Sequence, residues 1–355
     1  MYKKIAFFDT KPYDRRSFER VNGDFGFDIT YFETRLNTDS AALVRGSDGV
    51  CAFINDDLSG EVLDRLMDYG IGIVALRSAG YNNVDLEAAW KRIHIVRVPA
   101  YSPHAVAEHA VALMLSLNRK IHRAFYRTRD TNFSINGFLG FDMKGKTAGI
   151  IGTGKIGLSL VGILKGFDME VIAYDPYPRE ELAREHGFEY AGLEELYRRS
   201  DIISLHCPLT PDTKHLIDDA AIRRMKPSVM IINTSRGRII NTSHLIDALR
   251  ERRIGSAGLD VYEEEEKYFF EDLSNQTLED DKLARLLTFP NVLVTSHQGF
   301  FTEEALANIA ETTLSNLTDY FEGKPLPNEI CYQCNEDECR RDTEGRCFLL
   351  ERDAV

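Results

Sequence analysis

The sequence predicts an α/β protein with two parallel sheets, and three observations lead there. At 355 residues the chain is too long for one ordinary domain. Short apolar, β-rich runs alternate with helix-forming stretches twice, once in the first hundred residues and again, more strongly, from Thr147. A glycine-rich loop follows directly on the first run of the second series.

In chain order, Ile5–Phe8, Ile29–Phe32, Gly49–Phe53, Ile71–Leu76 and His94–Val98 read as strands, each followed by polar or helical sequence. A long helix is predicted from Pro103 to Ala124, with Pro103 in its first turn and Glu108 early in it. Then come Thr147–Ile151, Glu170–Tyr174, Ile202–His206, Val229–Asn233, Gly255–Leu259 and Val292–Thr295, six strands that match a doubly wound nucleotide-binding sheet. An amphipathic helix over Thr302–Phe321 ends at Gly323-Lys324-Pro325.

A formal charge of −13 argues against nucleic acid, whose phosphates need basic stripes. The start, MYKKIAFFDT, lacks the apolar core and cleavage site of a secretory signal. The apolar stretch Val106–Leu117 is interrupted by Glu108 and His109 and is far shorter than a bilayer span. A cytoplasmic protein is expected, with no membrane partner. Against this acidic field, an anionic ligand would need a well-placed arginine.

Gly152, Gly154 and Gly157 form a G-x-G-x-x-G behind Thr147–Ile151. The first allows a tight turn, the second lets a pyrophosphate approach the backbone, and the third lets the helix pack closely on the strand. Asp175, at the end of the next strand, is placed to accept bonds from ribose hydroxyls and to repel a 2′-phosphate, which favours NAD over NADP. The nearest following arginine is Arg179.

Ligands of open α/β sheets bind beyond the carboxyl ends of the strands. Three reactive side chains stand there: Arg236 after Val229–Asn233, Glu265 beyond Gly255–Leu259, and His297 after Val292–Thr295. Together they supply what hydride exchange at a hydroxy or keto acid requires, namely a proton donor and acceptor and a cation for the carboxylate.

The chain resembles the D-isomer-specific 2-hydroxyacid dehydrogenases, and within them the bacterial fermentative D-lactate dehydrogenase branch. The resemblance covers residues 1 to about 330 and is carried by ALRSAGYNNVDL at 75–86, VRVPAYSPHAVAEHA at 96–110, GKTAGIIGTGKIG at 145–157, SLHCPLTPDT at 204–213, NTSRGRII at 233–240, GLDVYEEE at 258–265 and TSHQGF at 295–300. It implies two Rossmann-like or flavodoxin-like domains, the NAD-binding one (102–298) inserted into a substrate-binding one (1–101 and 299–330), with 331–355 as a separate cysteine-rich tail.

The resemblance also implies roles. Arg236 pairs with the substrate carboxylate, and His297 is the acid and base. The family's acid, the second glutamate of Asp-x-Tyr-Glu-x-Glu, falls on Glu265 rather than on Glu263, Glu264 or Glu266. Glu265 favours protonated His297, because a nearby negative charge stabilises a cation. Backbone amides of Ser78, Ala79 and Gly80 join Arg236 on the carboxylate, and Tyr101 and Phe300 close the substrate pocket. Asp260 contacts the nicotinamide side. Lys155, Ile156, Cys207, Pro208, Thr213, Thr234 and Ser235 complete the cofactor site. The reaction implied is reduction of pyruvate to D-lactate by NADH, in a homodimer or homotetramer. Larger D-2-hydroxy acids, or NADH sensing without turnover, are the alternatives.

Cys51 and Cys207 lie in apolar runs and read as core thiols. Cys331, Cys334, Cys339 and Cys347 form C-x2-C-x4-C-x7-C in a polar tail too small for a core of its own. The plain reading is a tail of free thiols kept reduced; if the four cysteines hold a metal, zinc is expected ahead of an iron–sulfur site.

Overall fold

The structure is a computed structural model and describes residues 2–334 and 339–348. The chain divides into two compact units, Met1–Ser102 with Thr302–Val355, and Pro103–Phe301.

The first unit holds a five-stranded parallel sheet. Its strands are β1 (Lys4–Phe7), β2 (Asp28–Tyr31), β3 (Gly49–Ala52), β4 (Ile73–Leu76) and β5 (His94–Val96), in the order β2-β1-β3-β4-β5. β3 and β4, with Val50 opposite Val74, are buried along their whole length. That burial explains their unbroken apolar sequence, because helices cover both faces of such a sheet. Helix Gly60–Asp68 contributes Val62, Leu63 and Leu66, and helix Pro12–Asn22 contributes Phe18 and Val21. Helix Glu303–Phe321 returns to this unit, capped by the Thr302 hydroxyl, which accepts from the Ala305 amide. The Ser17 hydroxyl donates to its Leu306 carbonyl at 2.9 Å.

The second unit holds seven parallel strands: β6 (Thr147–Ile151), β7 (Glu170–Tyr174), β8 (Glu189–Tyr190), β9 (Ile202–Leu205), β10 (Met230–Asn233), β11 (Ser256–Leu259) and β12 (Val292–Val294). Their order is β12-β11-β10-β9-β6-β7-β8. The chain runs outward from β6 on one side, then crosses back to β9 and runs outward on the other. The carboxyl ends of β6 and β9 therefore flank the switch point at which such sheets bind ligands.

Two elements depart from expectation. β8 makes a seventh strand, and its two residues carry no readable period. The long helix stops at Arg119, and a second helix, Ile121–Arg129, starts after Lys120, whose φ is +51°. A tertiary clamp makes the break. The buried Asn118 side chain both accepts from the Phe141 amide (2.8 Å) and donates to the Phe141 carbonyl (2.7 Å), and Lys120 Nζ donates to the Leu139 carbonyl at 2.8 Å. Among the described residues no helix is long and apolar enough to cross a membrane.

Candidate active site

The glycine loop turns at the end of β6. Gly152 has a φ of +100°, and a Cβ there would stand 2.7 Å from the His206 carbonyl and the Cys207 nitrogen. Gly157, on helix Lys155–Gly166, lies so close to the turn that its Cβ would come within 2.1 Å of the Gly152 oxygen. Gly154 differs: nothing lies within 4 Å of where its Cβ would be. Two glycines are thus required by packing, while the third leaves the helix N-terminus, with Lys155 and half-buried Ile156, open to an anion.

Asp175 follows β7 and accepts from the Thr153 amide (2.8 Å), the Thr153 hydroxyl (2.9 Å) and the Tyr177 amide (3.0 Å). Burial pushes its carboxyl up, but these donors and Arg179 outweigh it and hold the group below its ordinary value. Arg179 itself donates to the Thr153 carbonyl. Beyond β9, the Ser235 hydroxyl bonds the Cys207 carbonyl at 2.6 Å, and Thr213 Oγ1 bonds that of Pro208 at 2.6 Å. Thr234 Oγ1 is buried without a hydrogen-bond partner among the described residues.

The reactive trio stands at the ends of three neighbouring strands, β10, β11 and β12. Glu265 Oε1 lies 2.8 Å from His297 Nδ1, and Glu265 Oε2 accepts the Tyr262 amide at 2.8 Å. His297 Nε2 has no hydrogen-bond partner among the described residues. Arg236 donates to the Ser235 carbonyl (2.8 Å) and has no carboxylate partner among them. Gly237 ties the arginine to the acid: a Cβ there would sit 2.0 Å from the Tyr262 carbonyl oxygen, so the Arg236 loop rests directly on the residue whose amide orients Glu265. The other glutamates of the run point elsewhere. Glu263 bonds His215 Nε2 (2.6 Å) and accepts the Thr242 amide (3.1 Å), and Glu264 and Glu266 are exposed.

His297 has a φ of +54°. Asp260 holds this conformation, because its carbonyl accepts the His297 amide at 2.7 Å and its side chain accepts the amides of Gln298 and Gly299. The same carboxylate, 1% exposed, takes the Thr295 hydroxyl at 2.6 Å and lies 3.2 Å from His109 Nε2. Burial raises the Asp260 carboxyl, but His109, Thr295 and the Gln298 amide outweigh it and leave the group below its ordinary value. Both oxygens of Asp260 thus serve the His297 loop. Phe270 packs on the imidazole, with ring centroids 6.0 Å apart, and half-buried Phe300 follows in the same loop. His109, Thr295 and Phe270 escaped sequence reasoning. For His109 the available signal was the polar pair that interrupts an apolar helix.

Ser78, Ala79, Gly80 and Tyr101 belong to the first unit. Ser78 is buried, its hydroxyl on the Gly80 carbonyl, and Arg97 holds the Ala79 carbonyl at 2.7 Å. The Tyr101 carbonyl accepts from Asn308.

Residues 111–299, over half of the chain, match the family described as D-isomer specific 2-hydroxyacid dehydrogenase, NAD binding domain. The chain belongs to the D-isomer-specific 2-hydroxyacid dehydrogenases. This dehydrogenase is similar to the D-lactate dehydrogenase of Escherichia coli (strain K12), with 52% identity over 328 residues, 92% of this chain and 99% of the relative. Among solved structures it resembles the apo-structure of D-lactate dehydrogenase from Escherichia coli, with a TM-score of 0.85, 50% identity and coverage of 92% and 99%. It is likewise similar to the pyruvate reductase of Chlamydomonas reinhardtii, with a TM-score of 0.87, 41% identity and coverage of 92% and 98%. The open space over Gly154 and the unpartnered Thr234 hydroxyl fit the NAD that this family's nucleotide domain binds.

The described part of the tail seats on the dehydrogenase's first unit. The tail borrows a core there: Cys331, Cys347 and Phe348 are buried against Trp90, with Cys334 and Cys339 beside them. The four sulfurs lie within 4.8 Å of one another and form no disulfide.

Proposed function

We propose that this dehydrogenase reduces pyruvate to D-lactate with NADH, and that His297, Glu265 and Arg236 carry the reaction. The hydrogen bond that fixes His297 Nδ1 on Glu265 and leaves Nε2 for a substrate carries this reading. Similarity to D-lactate dehydrogenases and to a pyruvate reductase supports the choice of substrate.

Bound NADH supplies the hydride. Nε2 of His297 gives its proton to the substrate carbonyl oxygen, which becomes the hydroxyl, and in the reverse direction neutral His297 takes that proton back. The Glu265 carboxylate balances the imidazolium and fixes the ring's orientation. Arg236, with no carboxylate partner among the described residues, takes the substrate carboxylate, ideally through two parallel bonds. The amides of Ser78–Gly80, the ring of Tyr101 and Phe300 are assigned to the substrate as well. Asp175, Cys207, Pro208, Thr213, Thr234, Ser235 and Asp260 join the glycine loop at the cofactor, with NAD preferred over NADP. The protein is assigned to the cytoplasm as a homodimer or homotetramer of two-domain subunits, and Cys331, Cys334, Cys339 and Cys347 to one zinc ion.

Steady-state kinetics with pyruvate, phenylpyruvate and 2-oxoisocaproate test the substrate. A preference for pyruvate is expected. A tenfold or greater preference in kcat/KM for a larger acid overturns it, and NADH binding without turnover of any 2-keto acid marks a sensor instead.

A further inference from the structure

The cysteine knuckle is joined to the first unit by a continuous chain of hydrogen bonds. Cys331 and Cys334 place their sulfurs 3.8 Å apart, as do Cys339 and Cys347. A tetrahedron with metal–sulfur bonds of about 2.3 Å has an edge of about 3.8 Å. All four sulfurs fall within 4.8 Å, which suits one ion, whereas the cysteines of an iron–sulfur cluster bind different irons and stand farther apart. The Cys331 amide donates to Cys334 Sγ at 3.1 Å, an outer hydrogen bond of the kind that steadies a thiolate ligand.

From the knuckle the chain of contacts runs inward. Glu329, fully buried, accepts the Cys347 amide with one oxygen and bonds His94 Nδ1 on β5 with the other. The Phe348 ring stacks on His94, with centroids 4.6 Å apart and planes within 7°. Residues 328–330 lie along the edge of β5: Glu329 bridges Val96, the Ile330 amide donates to the Ile95 carbonyl, and the Arg97 amide donates to the Asn328 carbonyl. The Arg97 carbonyl accepts from Asn316, itself bonded to Asn328. The Arg97 guanidinium then grips the Ala79 carbonyl and covers the Tyr81 ring.

We propose that a single zinc ion on the four cysteines clamps residues 328–331 onto β5, and through Arg97 sets the shape of the Ser78–Gly80 loop that receives the substrate carboxylate. The clamp rests on the assignments above of zinc to the tail and of this loop to the substrate. Arg97 is here a positioning residue: it acts through the Ala79 carbonyl and touches neither substrate nor cofactor. The metal would then govern pyruvate affinity, leaving proton transfer at His297 and NADH binding in the other unit untouched.

The full-length enzyme, purified without chelator, provides the test. Elemental analysis is expected to find one zinc per chain, and cobalt substitution to give the intense thiolate bands of a tetrahedral S4 site. Cys334→Ser combined with Cys339→Ser should lose the metal and raise the pyruvate KM about tenfold, with kcat and NADH affinity nearly unchanged. Should that variant fail to fold, Arg97→Lys in the zinc-loaded enzyme provides the second arm, with the same KM rise and full zinc. Absence of zinc from the wild-type chain overturns the metal itself. Zinc present, with a wild-type pyruvate KM in the metal-free or Arg97 variant, overturns the clamp alone. Failure of the wild type to reduce pyruvate marks failure of the substrate reading, and the KM comparison then passes to whichever 2-keto acid it does reduce.

Discussion

Glu265 Oε1 lies 2.8 Å from Nδ1 of His297, while its other oxygen is pinned by the Tyr262 amide. The carboxylate cannot swing away from the imidazole without giving up a backbone bond. Glu265→Gln keeps the size and the Tyr262 contact but removes the charge that balances the imidazolium. Pyruvate reduction should slow about 10- to 100-fold in kcat, and by about 1,000-fold or more in His297→Asn. NADH affinity, read by fluorescence titration, should hold in both. A Gln variant with wild-type turnover would remove Glu265 from the chemistry.

The glycine loop separates packing from binding. Gly157→Ala places a Cβ 2.1 Å from the Gly152 oxygen, so it should destabilise the nucleotide unit by about 2 kcal/mol. Gly154→Ala meets empty space and should change stability by less than about 0.5 kcal/mol. It should nonetheless weaken NADH about tenfold or more, since the methyl would occupy the approach proposed for the pyrophosphate. Thermal unfolding and cofactor titration of both variants check this, and the opposite ranking in stability would contradict the packing.

Acid should weaken the nucleotide unit through His206. Burial pushes this imidazole from 6.5 down to about 4, and its Nε2 pairs with the Ser204 hydroxyl at 2.8 Å. The unfolded chain therefore takes up the proton first. The stability tied to neutral His206 is full above about pH 6.5 and is lost as pH falls toward 4. From pH 7 to 5 the loss is about 1–2 kcal/mol, or a fall in Tm of about 2–6 °C. His206→Gln has no proton to gain, so its Tm should fall less over the same interval. Parallel falls in variant and wild type would rule out His206 as the source.

Much of this was legible because buried parallel strands write themselves as apolar runs, and β6 and β7 begin and end where the sequence puts them. The glycine spacing was equally plain, because Gly152 and Gly157 answer local steric demands and Gly154 leaves the helix N-terminus open. What could not be read depends on tertiary partners. The break at Lys120 is imposed by Asn118 reaching Phe141, and two-residue β8 exists only because β7 offers it an edge. Choosing Glu265 over Glu263 needed the family pattern, since both are glutamates of one acidic run. Only their partners, His297 for one and His215 for the other, tell them apart. Where the tail packs could not be read because its core is borrowed, with Trp90 and His94 lying more than two hundred residues earlier.

The left-handed backbone at His297 limits how this enzyme can change. Among side-chain-bearing residues, Asn, Asp and His enter that conformation most readily, and β-branched residues resist it. The position therefore admits a short alphabet: Gly, Asn, Asp and His. A lineage drifting toward new chemistry would meet a rerouted Gly299–Phe300 loop at nearly every other substitution there. Change is channelled instead to neighbours on relaxed backbone, so position 297 is expected to stay fixed while the loops around it vary.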